Sequence, residues 1–338
     1  MIWVIDGRLR PLLPKMGIVP QEPTVYRPLA ILPVHQIAIF FLAASLALAS
    51  TDCYAAIVGY TDNTNNRFTN HEDFIARAFN LSGIGKEADL TGAANESSRW
   101  VTAISRNVVI SAYHGRPNGG DIHFYRDNDP NKTPVVRNVV SGERVGSTDL
   151  WIGVLDEPLP EVIQHFDFVT ETLSGTPGEI ETAGLFQGAN AYLTSQIRRA
   201  LNPETDQRIG RNRVSGYVEN LDFLGQTDND SILFEFDAAA DPDFVDYETR
   251  FISEDSGGPT FIERDGQLVL LGINAFNYDD PDNGLFGSGI TYVGNQSDAI
   301  QTFIADNFVA TPEPSAALGL GLAFVMLQTR RRRPSSQG

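Results

Sequence analysis

A serine lies between acidic residues and a pair of glycines at residues 254–259, which read Glu-Asp-Ser-Gly-Gly-Pro. A serine hydroxyl becomes a nucleophile when a base takes its proton and N–H donors stabilise the oxyanion that follows. The two glycines allow a sharp turn and bring backbone N–H groups close to a reacting carbonyl, which a Cβ would obstruct. A plain surface turn is the alternative for this segment alone. The choice depends on whether the chain also supplies a base and a carboxylate.

Two other segments supply those groups. Residues 108–114 (Val-Val-Ile-Ser-Ala-Tyr-His) run from an apolar strand pattern into His114, and Asp149 directly precedes another apolar pattern at 150–155. A histidine can take the Ser256 proton and return it to a leaving amine. A buried Asp149 would hold the imidazole in one tautomer and stabilise its cation. Singly, His114 can be a core histidine and Asp149 a strand-edge residue, but the three together predict a Ser–His–Asp triad.

The elements that must position these residues are mostly short strands. The chain has 338 residues with 30 glycines and 19 prolines, and β-branched runs separated by Gly, Asn, Asp and Pro recur from residue 100 onwards. This pattern is typical of antiparallel strands in a sandwich or barrel. The last element differs, because Ser297 can cap a helix and an apolar face follows it. The predicted face contains Ile300, Phe303, Ile304 and Phe308. A second, short helix is expected at 74–79, so the prediction is an all-β body closed by a C-terminal helix.

Both ends are predicted to be sorting segments rather than parts of the fold. The apolar run at 37–49 is too short to span a membrane comfortably, follows basic residues and precedes small residues, so residues 1–55 are interpreted as a secretory leader. A buried core helix is the alternative. The only cysteine, Cys53, lies in this leader, so no disulfide is expected in the exported chain.

The C-terminal segment has three parts in order. Pro312-Glu313-Pro314 is followed by an apolar run at 316–327 and by four arginines at 330–333, which would hold the tail on the cytoplasmic side of a membrane. A membrane tail anchor is one interpretation. Removal of both ends changes the net charge from −18 to about −22. Such an acidic surface argues against nucleic acid and anionic membranes as partners.

No metal or other cofactor is predicted, because the five histidines show no ligand spacing. The acidic group Asp279, Asp280 and Asp282 is interpreted as a solvated loop, with a calcium site as the alternative.

The order His114, Asp149, Ser256, each beside an apolar strand, resembles the chymotrypsin-like (trypsin-fold) serine endopeptidases. The resemblance implies a hydrolase, exported by the predicted leader, that cleaves a protein or peptide substrate through an acyl-enzyme. It also implies an oxyanion hole formed by the backbone N–H groups of Ser256 and Glu254. Two departures from the family pattern, Glu254 in place of glycine and Tyr113 in place of alanine, favour an alternative: a catalytically inactive protease-fold binding module of the envelope or matrix.

The same resemblance implies a domain made of two antiparallel β-barrels and a C-terminal helix. The expected boundaries are 56–310 for the domain, about 57–170 for the first barrel, about 180–296 for the second and 297–308 for the helix.

Further roles follow from the family pattern. Ile57-Val58-Gly59-Tyr60 is similar to the start of the processed family domain, which implies that a freed amine of Ile57 pairs with Asp255. The implied substrate pocket has Arg250 near its floor, so a preference for acidic side chains is expected. The other implied pocket residues are Ala275, Phe276 and Asn277, on the strand that pairs with substrate, and Gly289 on a wall.

The C-terminal segment 311–338 resembles the PEP-CTERM sorting signal of Gram-negative bacteria. This resemblance implies an exosortase-type processing enzyme as a partner and transient inner-membrane association through the segment. The implied location is the cell envelope or extracellular matrix.

Overall fold

A computed structural model of the chain describes residues 56–88, 99–196, 206–280 and 285–308. The predicted leader (1–55) and sorting segment (311–338) lie outside these residues. Within the described ranges, no helix is long and apolar enough to cross a membrane.

The first large sheet is antiparallel and has seven strands in the order β6-β5-β2-β3-β4-β8-β7. The strands are β2 (Ile84–Glu87), β3 (Trp100–Ala103), β4 (Val108–Ala112), β5 (Ile122–Phe124), β6 (Val135–Arg137), β7 (Val139–Arg144) and β8 (Leu150–Leu155). A short strand before it, β1 (Ala56–Ile57), belongs to a separate two-stranded sheet. The continuous apolar run of β4 has a simple cause: alternate residues of a strand face opposite sides, and both sides of β4 are buried.

The second large sheet is also antiparallel and has eight strands in the order β11-β10-β15-β16-β17-β13-β12-β9. The strands are β9 (Ile180–Glu181), β10 (Asn190–Ser195), β11 (Arg208–Arg213), β12 (Gly216–Phe223), β13 (Gln226–Glu235), β15 (Pro259–Arg264), β16 (Gln267–Asp280) and β17 (Leu285–Tyr292). The remaining strand, β14 (Thr249–Arg250), pairs with β1. Helical elements are α1 (Asp62–Asn65), α2 (Ser297–Asp306) and 3₁₀ turns at Arg67–Thr69, Gly184–Phe186 and Gly294–Gln296.

One hydrophobic core joins the two sheets. Trp100 and Ile110 of the first sheet belong to the same buried cluster as Phe261 and Ile290 of the second. The Phe166 and Phe261 rings lie 4.6 Å apart within it. Both sheets curl into half-barrels and a helix closes the chain, so the predicted all-β architecture of two antiparallel barrels with a C-terminal helix is confirmed.

Three local expectations were wrong. Residues 74–79 form turns instead of a helix. Their backbone hydrogen bonds join residues three apart, such as Arg77 to Phe74, whereas an α-helix joins residues four apart. Ser297 is the first residue of α2 and does not cap it, since the helix follows directly on the 3₁₀ turn at Gly294–Gln296. Of the predicted apolar face, Ile300 is buried, whereas Phe308 lies beyond the helix end and is 69% exposed.

Candidate active site

The register between β4 and β8 brings a histidine beside an aspartate. Ala112 pairs with Leu150, and the ladder continues as the Tyr113 N–H donates to the Asp149 carbonyl at 2.6 Å. His114 follows β4 by two residues and Asp149 precedes β8 by one. In an antiparallel pair these two positions are neighbours, so the apolar runs that pair the strands also position the two polar side chains.

His114, Asp149 and Ser256 form one hydrogen-bonded row. Asp149 Oδ2 lies 2.6 Å from His114 Nδ1, and His114 Nε2 lies 2.7 Å from Ser256 Oγ. A carboxylate only accepts hydrogen bonds, so Nδ1 carries the proton and Nε2 is left to accept from the serine hydroxyl. The Asp149 side chain is fully buried, whereas 21% of the His114 side chain is exposed. The carboxylate end of the row, Asp149, therefore lies inside the protein, and the hydroxyl end, Ser256, lies towards solvent.

Asn229 of β13 holds the carboxylate end of the row, and the sequence analysis missed it. Its Oδ1 accepts the Asp149 backbone N–H at 2.6 Å. Its own amide donates to the carbonyls of Leu221 and Gln226. Asp149 Oδ1 in turn accepts the His114 backbone N–H at 3.0 Å. Asn229 is one of several polar residues in a hairpin, so no local pattern distinguishes it.

Two glycines allow the serine loop to approach the first sheet. Gly257 has φ +88°, and a Cβ there would come within 2.6 Å of Ser111 Oγ. A Cβ on Gly115 would lie 3.2 Å from the Ser256 Cβ and carbonyl oxygen. The Gly257 N–H donates to the Asn274 carbonyl at 3.0 Å, which fixes the loop to β16.

Glu254 has the backbone conformation of a glycine. Its φ is +94°, a region that side chains with a Cβ rarely adopt. The glutamate that replaces the glycine of the family pattern thus keeps a glycine-like backbone. Two residues further on, the Ser256 N–H makes no hydrogen bond to any residue in the described ranges. That N–H is free to donate to a bound group.

Asp255, between these two residues, is fully buried and points into the protein. Its carboxylate accepts hydrogen bonds from the Ile252 N–H (2.8 Å), the Ser195 hydroxyl (2.8 Å) and the Gln196 N–H (2.9 Å). Burial raises the pKa of Asp255 to about 8, although these hydrogen bonds and the nearby Lys86 charge act in the opposite direction.

The predicted partner of Asp255, the Ile57 amine, is in a peptide bond in this chain. Ile57 lies in β1, where it pairs with Thr249, and the preceding Ala56 pairs with Arg250. No hydrogen bond joins Ile57 to Asp255 within the residues that the structure describes. Their pairing remains a prediction for a chain cut before Ile57.

The segments assigned to the substrate pocket are linked to one another by hydrogen bonds. Asn277 Nδ2 donates to the Phe251 carbonyl at 2.9 Å, and Asn277 Oδ1 accepts from Ser288 Oγ at 2.9 Å. Ser288 Oγ also accepts the Phe251 N–H at 2.7 Å. Arg250 directly precedes Phe251, and its guanidinium lies 5.9 Å from the centre of the Phe286 ring.

The remaining predicted pocket residues lie on β16 and β17. Phe276 pairs with Gly289, and a Cβ on that glycine would come within 2.1 Å of the Phe276 ring. Ala275 is buried beside Phe276, at the bulge of β16. The structure therefore brings β14, β16 and β17 together but leaves their contact with a substrate as a prediction.

Tyr113, the other departure from the family pattern, does not disturb the row of three. Its ring packs against the cluster that contains Val109 and Trp151. The guanidinium groups of Arg116 and Arg144 lie 4.3 and 4.9 Å from the ring centre. The short His114 contacts are formed with Tyr113 in this position.

Among the described residues, no group of three or more His, Cys, Asp or Glu side chains could hold a metal ion. Of the acidic loop weighed as a calcium site, Asp282 lies outside the described residues.

The fold and the row of three side chains define the site. A scan against protein-family models finds no match, and a search of curated protein sequences finds none either. The function is therefore argued from the geometry of the site.

Proposed function

We propose that the protein is a serine endopeptidase that hydrolyses peptide bonds through an acyl-enzyme. One observation carries the proposal: Asp149, which is fully buried, lies 2.6 Å from His114 Nδ1, and His114 Nε2 lies 2.7 Å from Ser256 Oγ, so the imidazole can accept the serine proton. Such a row activates a hydroxyl, since the imidazole can accept its proton while the carboxylate stabilises the resulting cation.

In the proposed reaction, Ser256 Oγ attacks the carbonyl carbon of the scissile bond as His114 Nε2 takes its proton. The tetrahedral oxyanion then accepts hydrogen bonds from the Ser256 N–H and, by the family pattern, from the Glu254 N–H. His114 returns the proton to the leaving nitrogen, and the C–N bond breaks. Water, deprotonated by His114, then attacks the acyl carbon, and His114 returns that proton to Ser256 Oγ as the ester C–O bond breaks and the acid is released.

The substrate is proposed to be a protein or peptide with an acidic side chain at the cleaved position. The support is Arg250, which has no carboxylate partner within the described ranges although the chain is strongly acidic. A peptide library tests this directly: cleavage after Asp or Glu is expected, and cleavage mainly after Arg would rule it out.

The terminal segments support a proposed route for this activity. We propose that the leader exports the chain and that the C-terminal segment holds it transiently in the inner membrane until an exosortase-type enzyme releases it. The protein would then act in the cell envelope or extracellular matrix.

Covalent labelling with a fluorophosphonate tests the enzymatic proposal. We expect a single adduct on the peptide that contains Ser256, and none in Ser256→Ala. Ser253→Ala is the matched control, because it removes a hydroxyl from the same loop and should leave labelling intact. A folded wild-type protein that is not labelled at Ser256 would instead support the catalytically inactive binding module of the envelope or matrix.

A further inference from the structure

Gln196 donates two hydrogen bonds to the serine loop and accepts one from a lysine of the first sheet. Its backbone N–H donates to Asp255 Oδ1 at 2.9 Å, and its side-chain Nε2 donates to the Glu254 carbonyl at 2.5 Å. Its Oε1 accepts from Lys86 Nζ. A lysine ammonium has only donors, so Oε1 must face Lys86 and the amide hydrogens must face Glu254. The orientation of this buried amide therefore follows from chemistry.

Lys86 brings a buried positive charge from the other sheet. It lies in β2 and is fully buried. Its ammonium also donates to the Asp206 carbonyl at 3.0 Å and lies 4.5 Å from the centre of the Trp100 ring. Burial of an ammonium is costly unless its donors are satisfied. The Lys86–Gln196 contact meets part of that requirement and joins the first sheet to the loop of the second.

These contacts restrain the loop at its strained residue, Glu254, and at the residue that follows it. Gln196 Nε2 fixes the carbonyl of Glu254, and hence the rotation of the 254–255 peptide. Asp255 is fixed by Ile252, Ser195 and Gln196. A residue at φ +94° persists only where its surroundings hold it. Three acceptor sites of the Asp255 carboxylate are thus used by groups inside the intact chain.

We propose that Gln196 and Lys86 are positioning residues that hold residues 254–256 in the conformation needed for catalysis, so that the loop does not require a free amine at Ile57. This inference rests on the proposed endopeptidase function. It predicts an enzyme whose activity does not depend on cleavage before Ile57.

The first test removes the side-chain contact and keeps the backbone. Gln196→Met should lower kcat by about 10²-fold, the scale for loss of an oxyanion donor, with KM little changed. The affinity for a peptide boronate should fall in parallel, because that inhibitor occupies the oxyanion site. Gln207→Met is the matched control: Gln207 is equally buried and accepts from the buried Arg67 at 2.7 Å. It should retain wild-type kcat, and an equal loss in both variants would overturn the proposal.

Lys86 variants supply the second arm. Lys86→Arg should retain more of the kcat than Lys86→Met, because the guanidinium still donates to Gln196. Equal kcat values for the two folded variants would count against a role of the charge. If Lys86→Met does not fold, the comparison of Gln196→Met with Gln207→Met decides alone.

The third arm addresses the amino terminus. A protease recognition sequence is inserted between Ala56 and Ile57 of the full chain, and fluorophosphonate labelling of Ser256 is measured before and after cleavage. The expected labelling rate is the same in both states. Labelling that appears only after cleavage overturns the inference and leaves the proposed function intact. Absence of labelling in the wild type as well would overturn the proposed function itself, and the inference with it.

Discussion

Glu254→Gly should stabilise the protein, which is unusual for a substitution beside a catalytic residue. At φ +94° the Cβ of Glu254 is strained, and glycine has no Cβ. The contact from Gln196 goes to the backbone carbonyl, so it remains in the variant. The substitution therefore removes strain without removing that restraint.

The expected gain is the difference of two terms. A non-glycine residue in a sparsely populated backbone region costs on the order of 1–3 kcal/mol. Glycine also raises the conformational entropy of the unfolded chain, which lowers the free energy of unfolding by about 0.4–1 kcal/mol. The free energy of unfolding should thus rise by about 1 kcal/mol, which for a domain of this size raises Tm by roughly 2–4 °C.

Urea unfolding of Glu254→Gly and Glu254→Ala measures this effect. Alanine removes the same carboxylate but keeps a Cβ, so only glycine should gain stability, and the difference between the two variants reports the backbone strain. Fluorophosphonate labelling of the glycine variant should be at least as fast as in the wild type. If Glu254→Gly is no more stable than Glu254→Ala, the strain argument for this loop is refuted.

Three further predictions test other parts of the structure. Asp149→Asn should lower the rate of Ser256 labelling by roughly 10⁴-fold, since an amide favours the wrong imidazole tautomer; labelling at the wild-type rate would contradict the triad. Burial raises the pKa of Asp255 to about 8, so its carboxyl group stays protonated to a higher pH in the native state than in the unfolded chain. The free energy of unfolding should therefore fall as the pH rises from about 4 to 8. Asp255→Asn should reduce that slope in urea titrations by up to about 1.4 kcal/mol per pH unit, and an unchanged slope would exclude Asp255 as its source. Phe261→Ala should cost about 3–5 kcal/mol as a core cavity, against less than about 0.5 kcal/mol for the exposed Phe308→Ala.

The sequence predicts the strands of the site better than their pairing. The run Val108–Ala112 is apolar at nearly every position because both faces of β4 are buried, and such a run is recognisable without a structure. The register of β4 against β8 is different, since it depends on residues far apart in the chain. A shift of one residue would turn His114 away from Asp149. The sequence could therefore nominate these residues but could not establish their contact.

The buried polar residues around the serine loop could not be predicted. Lys86 lies in the segment Ile84–Glu87, whose two charged residues are typical of a solvated strand. Its burial depends on Trp100 and on Gln196, which is 110 positions away in the chain. Glu254, which replaces the glycine of the family pattern, takes a glycine-like conformation among these contacts. At both positions long-range contacts override local preferences.

The contacts across the two sheets explain why the site can be rigid although its residues come from distant segments. His114 and Asp149 follow and precede strands of the first sheet, but Asn229 of the second sheet holds Asp149. Ser256 lies in the loop that leads into β15 of the second sheet, but Lys86 of the first sheet holds this loop through Gln196. The part of the row that each sheet supplies is thus held by a side chain from the other sheet. A small displacement between the sheets would lengthen the contact from His114 to Ser256 and weaken both supports together. Substitutions at this junction should therefore act on kcat, which requires the row to be aligned, before they act on substrate binding.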